Sequence, residues 1–365
     1  MSERLGVAVV GAGVIGRTHV ETLAQHDRLR LAALVDPVPT SAQLAESYGV
    51  PWFPDVPALL SSGIARAAIV ATPNETHLPV TESLLRAGLP VLLEKPVAES
   101  LASALKLIGI ADDTGIPVLV GHHRRHNPIV RKAREIILSG QIGDLVIANV
   151  VCSLYKPEDY FDAKWRKTPG AGGPLLINLV HEIDLLRHFF GEIAEVKAIT
   201  SHRQRSFEVE DGAAVCLTFA NGALATLVIS DSASGPWAWD LTSGENLARF
   251  PAHHVTAHHY AGTRGALSLP DLTLWLPDGE PDWTKKLRPE SIPVAPANPY
   301  SLQLSHFADL IEGAETSPRV SLRDATANMI VIDAIRRAAG DDGRIAIDLS
   351  SLSPQGLAHS NGNRQ

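Results

Sequence analysis

Cysteine is nearly missing from this chain: two in 365 residues, Cys152 and Cys216. So far apart, they make neither a disulfide framework nor a zinc spacing, and both are expected as reduced core residues of apolar, strand-like runs. No apolar stretch approaches the roughly 20 residues of a membrane-spanning helix, and the first residues lack a charged-then-apolar leader. The expectation is a cytoplasmic protein with no membrane partner. A basic excess is missing too: Lys+Arg number 32 against 40 Asp+Glu, for a formal charge of -8 and a pI near 6.0. Such a surface offers nothing to nucleic acid or anionic lipid, which leaves a small molecule as the expected ligand. There is no internal repeat. Histidines cluster at His122, His123 and His126 and again at His253, His254, His258 and His259, but no cysteine or carboxylate set completes a metal site around them. They are expected to line the substrate cleft or the surface.

What is present begins at Leu5 to Leu23, LGVAVVGAGVIGRTHVETL. An apolar strand turns through Gly11, Gly13 and Gly16 into an amphipathic helix. The spacing is G-x-G-x-x-G, with glycines for a tight turn, for pyrophosphate against bare backbone and for close helix packing. The helix start, including Val14 and Ile15, then presents free N–H groups and a positive dipole end to the phosphates. Asp36 closes the next strand, Leu29 to Val35, about 20 residues on, where a carboxylate accepts from both ribose hydroxyls. It would repel a 2'-phosphate, and no Lys or Arg between Asp36 and Leu44 would neutralise one. The expected cofactor is NAD, with NADP less favoured.

At this length two domains are expected. The first third alternates strands (Ala67 to Ala71, Val91 to Leu93, Val118 to Val120) with helical segments (Thr76 to Ala87, Ser100 to Thr114), the pattern of a doubly wound parallel sheet. A basic helix, Pro128 to Ser139, follows. Then come alternating strands at Leu145 to Tyr155, Val196 to His202, Ala213 to Phe219 and Ala223 to Ser230, the last two joined by an Asn-Gly hairpin turn. His254 to Tyr260 and Ala266 to Leu276 read as further strands, Pro277 to Pro299 as a surface loop, and Tyr300 to Glu312 and Ser321 to Ala339 as closing helices. The fold class is therefore α/β: an N-terminal dinucleotide-binding domain (1–122), a C-terminal α+β domain with a large, mostly antiparallel open sheet (123–349) and a polar, disordered tail (350–365). An open sheet with apolar residues on both faces predicts a homodimer or homotetramer.

Three stretches carry potential chemistry. Ala71-Thr-Pro-Asn-Glu-Thr-His77 follows a strand at the sheet's carboxyl edge, which directs Thr72, Pro73, Asn74 and His77 toward the nicotinamide half; the alternative, Asn74 or Thr76 as cap of the next helix, is compatible with that contact. Glu94-Lys95-Pro96 ends the next strand. Lys95 is either a surface lysine or an ammonium aimed into the cleft, where desolvation would bring it into the working range of an acid or base. Gly172 to Gly191, GGPLLINLVHEIDLLRHFFG, reads as one helix with Asn178, His181 and Asp184 on a single ridge. His181 is either a satisfied core residue or a site residue whose tautomer Asp184 would hold.

Together, GAGVIG, TPNETH, EKP and a late H-x-x-D resemble the Gfo/Idh/MocA family of NAD(P)-dependent oxidoreductases, the glucose-fructose oxidoreductase and inositol dehydrogenase group. The resemblance spans about residues 5 to 349 and includes Gly121 to Pro128 (GHHRRHNP), Trp165-Arg166 and the Gly262-Thr-Arg-Gly265 turn. It implies a Rossmann domain followed by an oligomerising α/β domain. It also implies that Lys95 is catalytic, that His181 handles the substrate proton with Asp184 as its partner, that Asn74 and His77 lie near nicotinamide, and that Glu94 belongs to the cofactor side. Arg124, Tyr155, Trp165 and Asn178 join Lys95 and His181 as candidate substrate-binding residues. Many members place an aspartate four residues before the histidine; here that position is Ile177, which shifts the work toward Lys95 and His181. The implied reaction is hydride transfer between nicotinamide and a carbinol carbon of a sugar, cyclitol or related polyol. An NAD-dependent glycosidase would use the same residues, whereas a nucleotide sensor that has lost catalysis is disfavoured by the presence of both Lys95 and His181.

Overall fold

The computed structural model describes residues 4–341 and 343–353, so that residues 354–365 of the expected tail lie outside the described residues; Ser350–Leu352 form a single 3-10 turn. The first sheet contains β1 (Leu5–Val10), β2 (Leu29–Val35), β3 (Trp52–Phe53), β4 (Ala67–Val70), β5 (Val91–Leu93) and β6 (Val118–Val120). Its helices are α1 (Val14–Ala24), α2 (Ser41–Ser47), α3 (Val56–Ser62), α4 (Asn74–Arg86) and α5 (Leu101–Thr114). Every strand pair is parallel and the order is β3-β2-β1-β4-β5-β6, so the winding reverses between β1 and β4. That reversal opens a crevice at the carboxyl edge. Val7 to Val9 and Ala67 to Val70 are fully buried, as strands covered on both faces must be. Asp55 and Ser100 cap α3 and α5 through their side chains, while Gly63 and Gly115 end those helices in the left-handed region. The short β3, α2 and α3 have too little periodicity to be read from sequence.

Among the described residues the second sheet has nine strands, in the order β14-β13-β12-β11-β7-β10-β9-β8-β15. In chain order its unit contains α6 (Pro128–Leu138), β7 (Leu145–Ser153), α7 (Val180–Phe190), β8 (Ile193–Ser201), β9 (Gly212–Phe219), β10 (Leu224–Ser230), α8 (Trp239–Thr242), β11 (His258–Gly262), β12 (Ala266–Leu269), β13 (Thr273–Pro277) and β14 (Leu287–Ser291). Two closing helices follow, α9 (Pro299–Glu312) and α10 (Leu322–Asp341), then β15 (Arg344–Ala346). Among the described residues of this sheet, only β7 and β10 pair in parallel. The expected hairpin joins β9 and β10, with Gly222 at φ +87 and its N–H bonded to Phe219 at 2.9 Å. The expected strand from Ala266 to Leu276 is instead two, β12 and β13, because the chain turns at Pro270 to Leu272 and pairs back on itself. The expected loop from Pro277 contains β14, an exposed edge strand; its alternation is masked because no face of it is buried.

One face of this sheet packs on α7 and α10 around Leu179, Ile183, Leu186, Leu217, Leu227, Val331 and Ile335. On the other face stand Ile147, Ile199, Leu224 and Val228, each about half exposed or more. Cys216 belongs there as well. It was expected in the core, but β9 alternates strictly and sets it opposite Thr226 and Lys197 on the open face, while Cys152 is buried.

The chain divides into two compact units, and the division differs from the expected boundary at 122. Residues 299–327 and 349–353 return to the first unit, leaving 127–298 and 328–348 as the second. The reason is the packing of α9. Arg28 reaches Asp309 at 2.7 Å and Glu312 at 2.5 Å, His26 meets Ser305 at 3.1 Å, and Leu304 and Phe307 are fully buried. The backbone of Val120 also bonds Val320 at 3.0 Å. Among the described residues no helix is long and apolar enough to cross a membrane, and no group of three or more His, Cys, Asp or Glu could hold a metal ion.

Candidate functional site

In the first unit the glycine turn runs from the end of β1 into α1. Gly11 has φ +101, and a Cβ there would stand 2.5 Å from the Ala71 carbonyl; a Cβ on Gly16 would collide with the carbonyl of Gly11. These two glycines let α1 lie close against the β1 and β4 ends. Gly13 differs: a Cβ there would meet nothing within 4 Å. Bare backbone beside open space at a helix N-terminus is what an approaching pyrophosphate requires. Val14 is 65% exposed at the same point. Asp36 lies at the end of β2, where one carboxylate oxygen accepts from Ala12 N–H at 2.7 Å and the other from Val38 N–H at 2.9 Å. Each oxygen keeps a second lone pair for a ribose hydroxyl. Glycines, helix start and carboxylate therefore fit a dinucleotide.

At the β4 end, Asn74 is the first residue of α4, and no side chain caps that helix. Thr76 instead bonds the Thr72 hydroxyl and the Pro73 carbonyl, both at 2.7 Å. His77 is fully buried, with Nδ1 2.8 Å from the Pro96 carbonyl and Nε2 3.0 Å from that of Thr72. Burial outweighs those carbonyls and lowers its affinity for a proton, and a neutral ring donates to one of the two carbonyls only. His77 thus joins the TPN loop to the EKP loop rather than presenting its own nitrogens outward. Lys95, half-buried, directly follows β5 and Glu94, and its peptide to Pro96 is cis. Glu94 is buried and bonded to His19 of α1 at 2.8 Å, a partner that the sequence spacing did not suggest. Arg124 is buried in the 3-10 turn His123–His126 after β6, where Arg125 pairs with Asp324 at 2.5 Å.

In the second unit, the expected single helix from Gly172 is a π-helical stretch, Leu175–Leu179, continuing into α7. Asn178 belongs to the π stretch, and His181 and Asp184 follow it on α7; such turns recur at functional sites. The glycines before it permit close approaches: a Cβ on Gly172 would strike the Arg166 carbonyl, and one on Gly173 the Glu210 carboxylate. Glu210 accepts from the Leu175 N–H at 3.0 Å, and burial raises its pKa above the usual carboxylate range. His181 and Asp184 are buried three residues apart on α7. Asp184 accepts from Asn328 of α10 at 2.8 Å, and Asn328 accepts from Arg187 at 2.6 Å. Neither Asn328 nor Arg187 stood out in sequence, since their proximity to Asp184 depends on α10 packing against α7.

Tyr155 and Trp165 are each about half exposed. The Arg205 guanidinium stands 5.4 Å from the Tyr155 ring and that of Arg166 5.4 Å from Trp165. Tyr155 lines an open polar pocket with Gln204, Arg205, Phe207 and Ser232. The histidine clusters separate. His258 is buried between Glu182 (3.2 Å) and the Tyr260 hydroxyl (2.8 Å), His259 faces outward from the next position of β11, and His253 and His254 are exposed.

Comparison with known proteins follows this division. Residues 5–122 match the oxidoreductase family of Gfo/Idh/MocA proteins with an NAD-binding Rossmann fold, and residues 130–246 match the Gfo/Idh/MocA C-terminal domain. The chain is 25% identical to an inositol 2-dehydrogenase of Rhizobium meliloti over 359 residues, covering 95% of this chain and 100% of that one. It is 30% identical to a 1,5-anhydro-D-fructose reductase of Ensifer adhaerens over 251 residues, 68% and 69% of the two chains. Among solved structures, the WlbA dehydrogenase of Bordetella pertussis, in complex with NADH and UDP-GlcNAcA, has a TM-score of 0.77 at 22% identity and covers 95% of this chain and 99% of that one.

Proposed function

The chain belongs to the Gfo/Idh/MocA family of oxidoreductases, enzymes that act on CH–OH groups with NAD(P), and on that premise we propose that it oxidises or reduces a carbinol carbon of a sugar, cyclitol or related polyol with NAD. The observation that carries this reading is the carboxyl edge of the six-stranded sheet, where the glycine turn, Asp36, the Thr72 to His77 loop and Glu94-Lys95 all emerge. Open space at Gly13 and the Asp36 carboxylate are the groups that would hold the pyrophosphate and adenine ribose. A negative charge at that ribose favours NAD over NADP. When bound, the nicotinamide supplies or accepts the hydride.

The chain's own residues do the rest. Lys95 and His181 are assigned to the hydroxyl proton, as acid in one direction and base in the other. Asp184, fixed by Asn328, is assigned to orient His181 from the same helix. Ile177 offers no acidic group one turn before the histidine, so no second carboxylate is assigned there. Tyr155, Trp165, Arg124 and Asn178 are assigned to substrate contact, the two aromatic side chains offering apolar faces to a sugar ring. We further read the apolar open face of the nine-stranded sheet as covered by a second copy of the chain, giving a homodimer or homotetramer. Incubation with NAD and a panel of sugars, cyclitols and hydroxy acids, followed through the near-ultraviolet absorbance of NADH, tests the activity. A panel in which only hydroxy acids reduce NAD would overturn the polyol assignment.

A further inference from the structure

The buried polar groups behind Lys95 have no role in the mechanism above. His19 is fully buried on α1, one helical step beyond Gly16, and its Nε2 lies 2.8 Å from Oε1 of Glu94. The pair therefore links the helix that follows the glycine turn to the residue at the end of β5. The other carboxylate oxygen lies 3.3 Å from the Lys95 N–H. Below it is Gly121, the residue after β6; a Cβ there would stand 2.9 Å from Cδ, Oε1 and Oε2 alike. Glycine is the residue that leaves room for the carboxylate. Tyr300 of α9 meets the His19 ring edge-on at 5.7 Å and stacks on His123 at 4.4 Å, closing the remaining side.

Burial by itself would push this carboxyl toward its neutral form. The His19 hydrogen bond and the charges of His19, Lys95 and His123 outweigh it and hold Glu94 below the ordinary carboxylate range. Since the charge of Lys95 helps keep Glu94 ionised, the attraction is mutual and an anion at 94 favours Lys95 as an ammonium.

We infer that His19 is a positioning residue: its hydrogen bond fixes the Glu94 carboxylate beside Lys95, so that the helix next to the cofactor turn controls the charge state of the proton-handling lysine. This rests on the assignment of Lys95 to the hydroxyl proton. A carboxylate bonded to His19 and walled by Gly121 is held in place for its neighbours.

The test is trace acetylation of the purified full-length chain by dilute acetic anhydride at pH 8. Modification of Lys95 is read by mass spectrometry relative to the surface residues Lys106 and Lys132. Glu94→Gln, which keeps shape and removes charge, is expected to raise the relative rate at Lys95 about tenfold, the scale of losing one neighbouring charge. His19→Leu is expected to shift the rate in the same direction, because a buried carboxylate that loses its hydrogen-bond partner is less favoured as an anion. His19→Gln, which still donates a hydrogen bond, is expected to stay within about threefold of the parent. Parent-like rates in both Glu94→Gln and His19→Leu would overturn the inference, as would His19→Gln behaving like His19→Leu. Melting midpoints monitor folding, and Glu94→Gln stands by itself if His19→Leu does not fold. Acetylation needs no turnover, so a parent enzyme that reduces NAD with no polyol would refute the proposed function without touching this result.

Discussion

Replacing Asn328 with leucine tests whether the buried chain Arg187–Asn328–Asp184 holds α10 to α7 in the second unit. Asn328 is fully buried, and its amide joins two charged groups that are themselves buried, Asp184 through the nitrogen at 2.8 Å and Arg187 through the oxygen at 2.6 Å. Hydrogen bonds to ionised partners contribute about 1.5–3 kcal/mol each. Leucine has the same branching and returns about 1.5–2 kcal/mol through apolar burial, which against two such bonds leaves a net loss of about 1–4.5 kcal/mol. For a unit of about 200 residues this lowers the melting midpoint by roughly 2–18 °C. Urea unfolding followed by far-ultraviolet circular dichroism reads the loss directly. Because Asp184 loses a tether in the same step, turnover should fall by more than NADH binding. A midpoint unchanged to within about 0.5 kcal/mol would show that the Arg187 and Asp184 charges are satisfied without Asn328, and the tether would have to be given up.

The glycine turn makes a paired prediction, read by NADH fluorescence titration and melting. Gly13→Ala should keep the parent stability and lose at least about tenfold in affinity, because its methyl enters open space that the pyrophosphate needs, whereas Gly16→Ala should lose both through collision with Gly11. Lys95→Ala should bind NADH like the parent but lose about 10²- to 10⁴-fold in kcat, the usual range for a proton-transfer group; full turnover would remove Lys95 from the mechanism. His26, His77 and His306 have pKa values lowered from 6.5, in each case chiefly by burial, so the unfolded chain binds more protons than the folded one below that value. Their contribution is fully present above about pH 6.5 and is lost as pH falls toward the depressed folded values. Melting midpoints should therefore drop between pH 7.5 and 6, and a rise would contradict the assignment. Val228→Lys places a charge on the open sheet face and should shift the sedimentation coefficient toward the single chain; an unchanged value would place the subunit contact elsewhere.

The most local patterns were the most legible. Leu5–Val10, Leu29–Val35, Val91–Leu93 and Val118–Val120 coincide with their expected strands, since buried parallel strands are unbroken apolar runs bounded by turns. The Asn-Gly hairpin was equally plain, its chemistry residing in two adjacent residues. Legibility ended where a residue's environment is set by a distant segment. The strand-like alternation at Cys216 was visible, but the face that would be buried was not. The helix beginning after Gly173 carried helical periodicity, yet its first turn widened to a π form over glycines packed against Arg166 and Glu210.

What the sequence by itself determined is the longer buried strands of the first unit and the family, because G-x-G-x-x-G, the carboxylate at Asp36 and E-K-P each express a local requirement of backbone geometry or charge. The return of α9 to the first unit, the His19–Glu94 pair and the tether of Asp184 by Asn328 were decided only by tertiary structure. Those contacts join residues 75 to about 280 positions apart. A hydrogen bond or an ion pair leaves no periodic trace along the chain, so nothing short of the folded packing specifies which polar residues will meet.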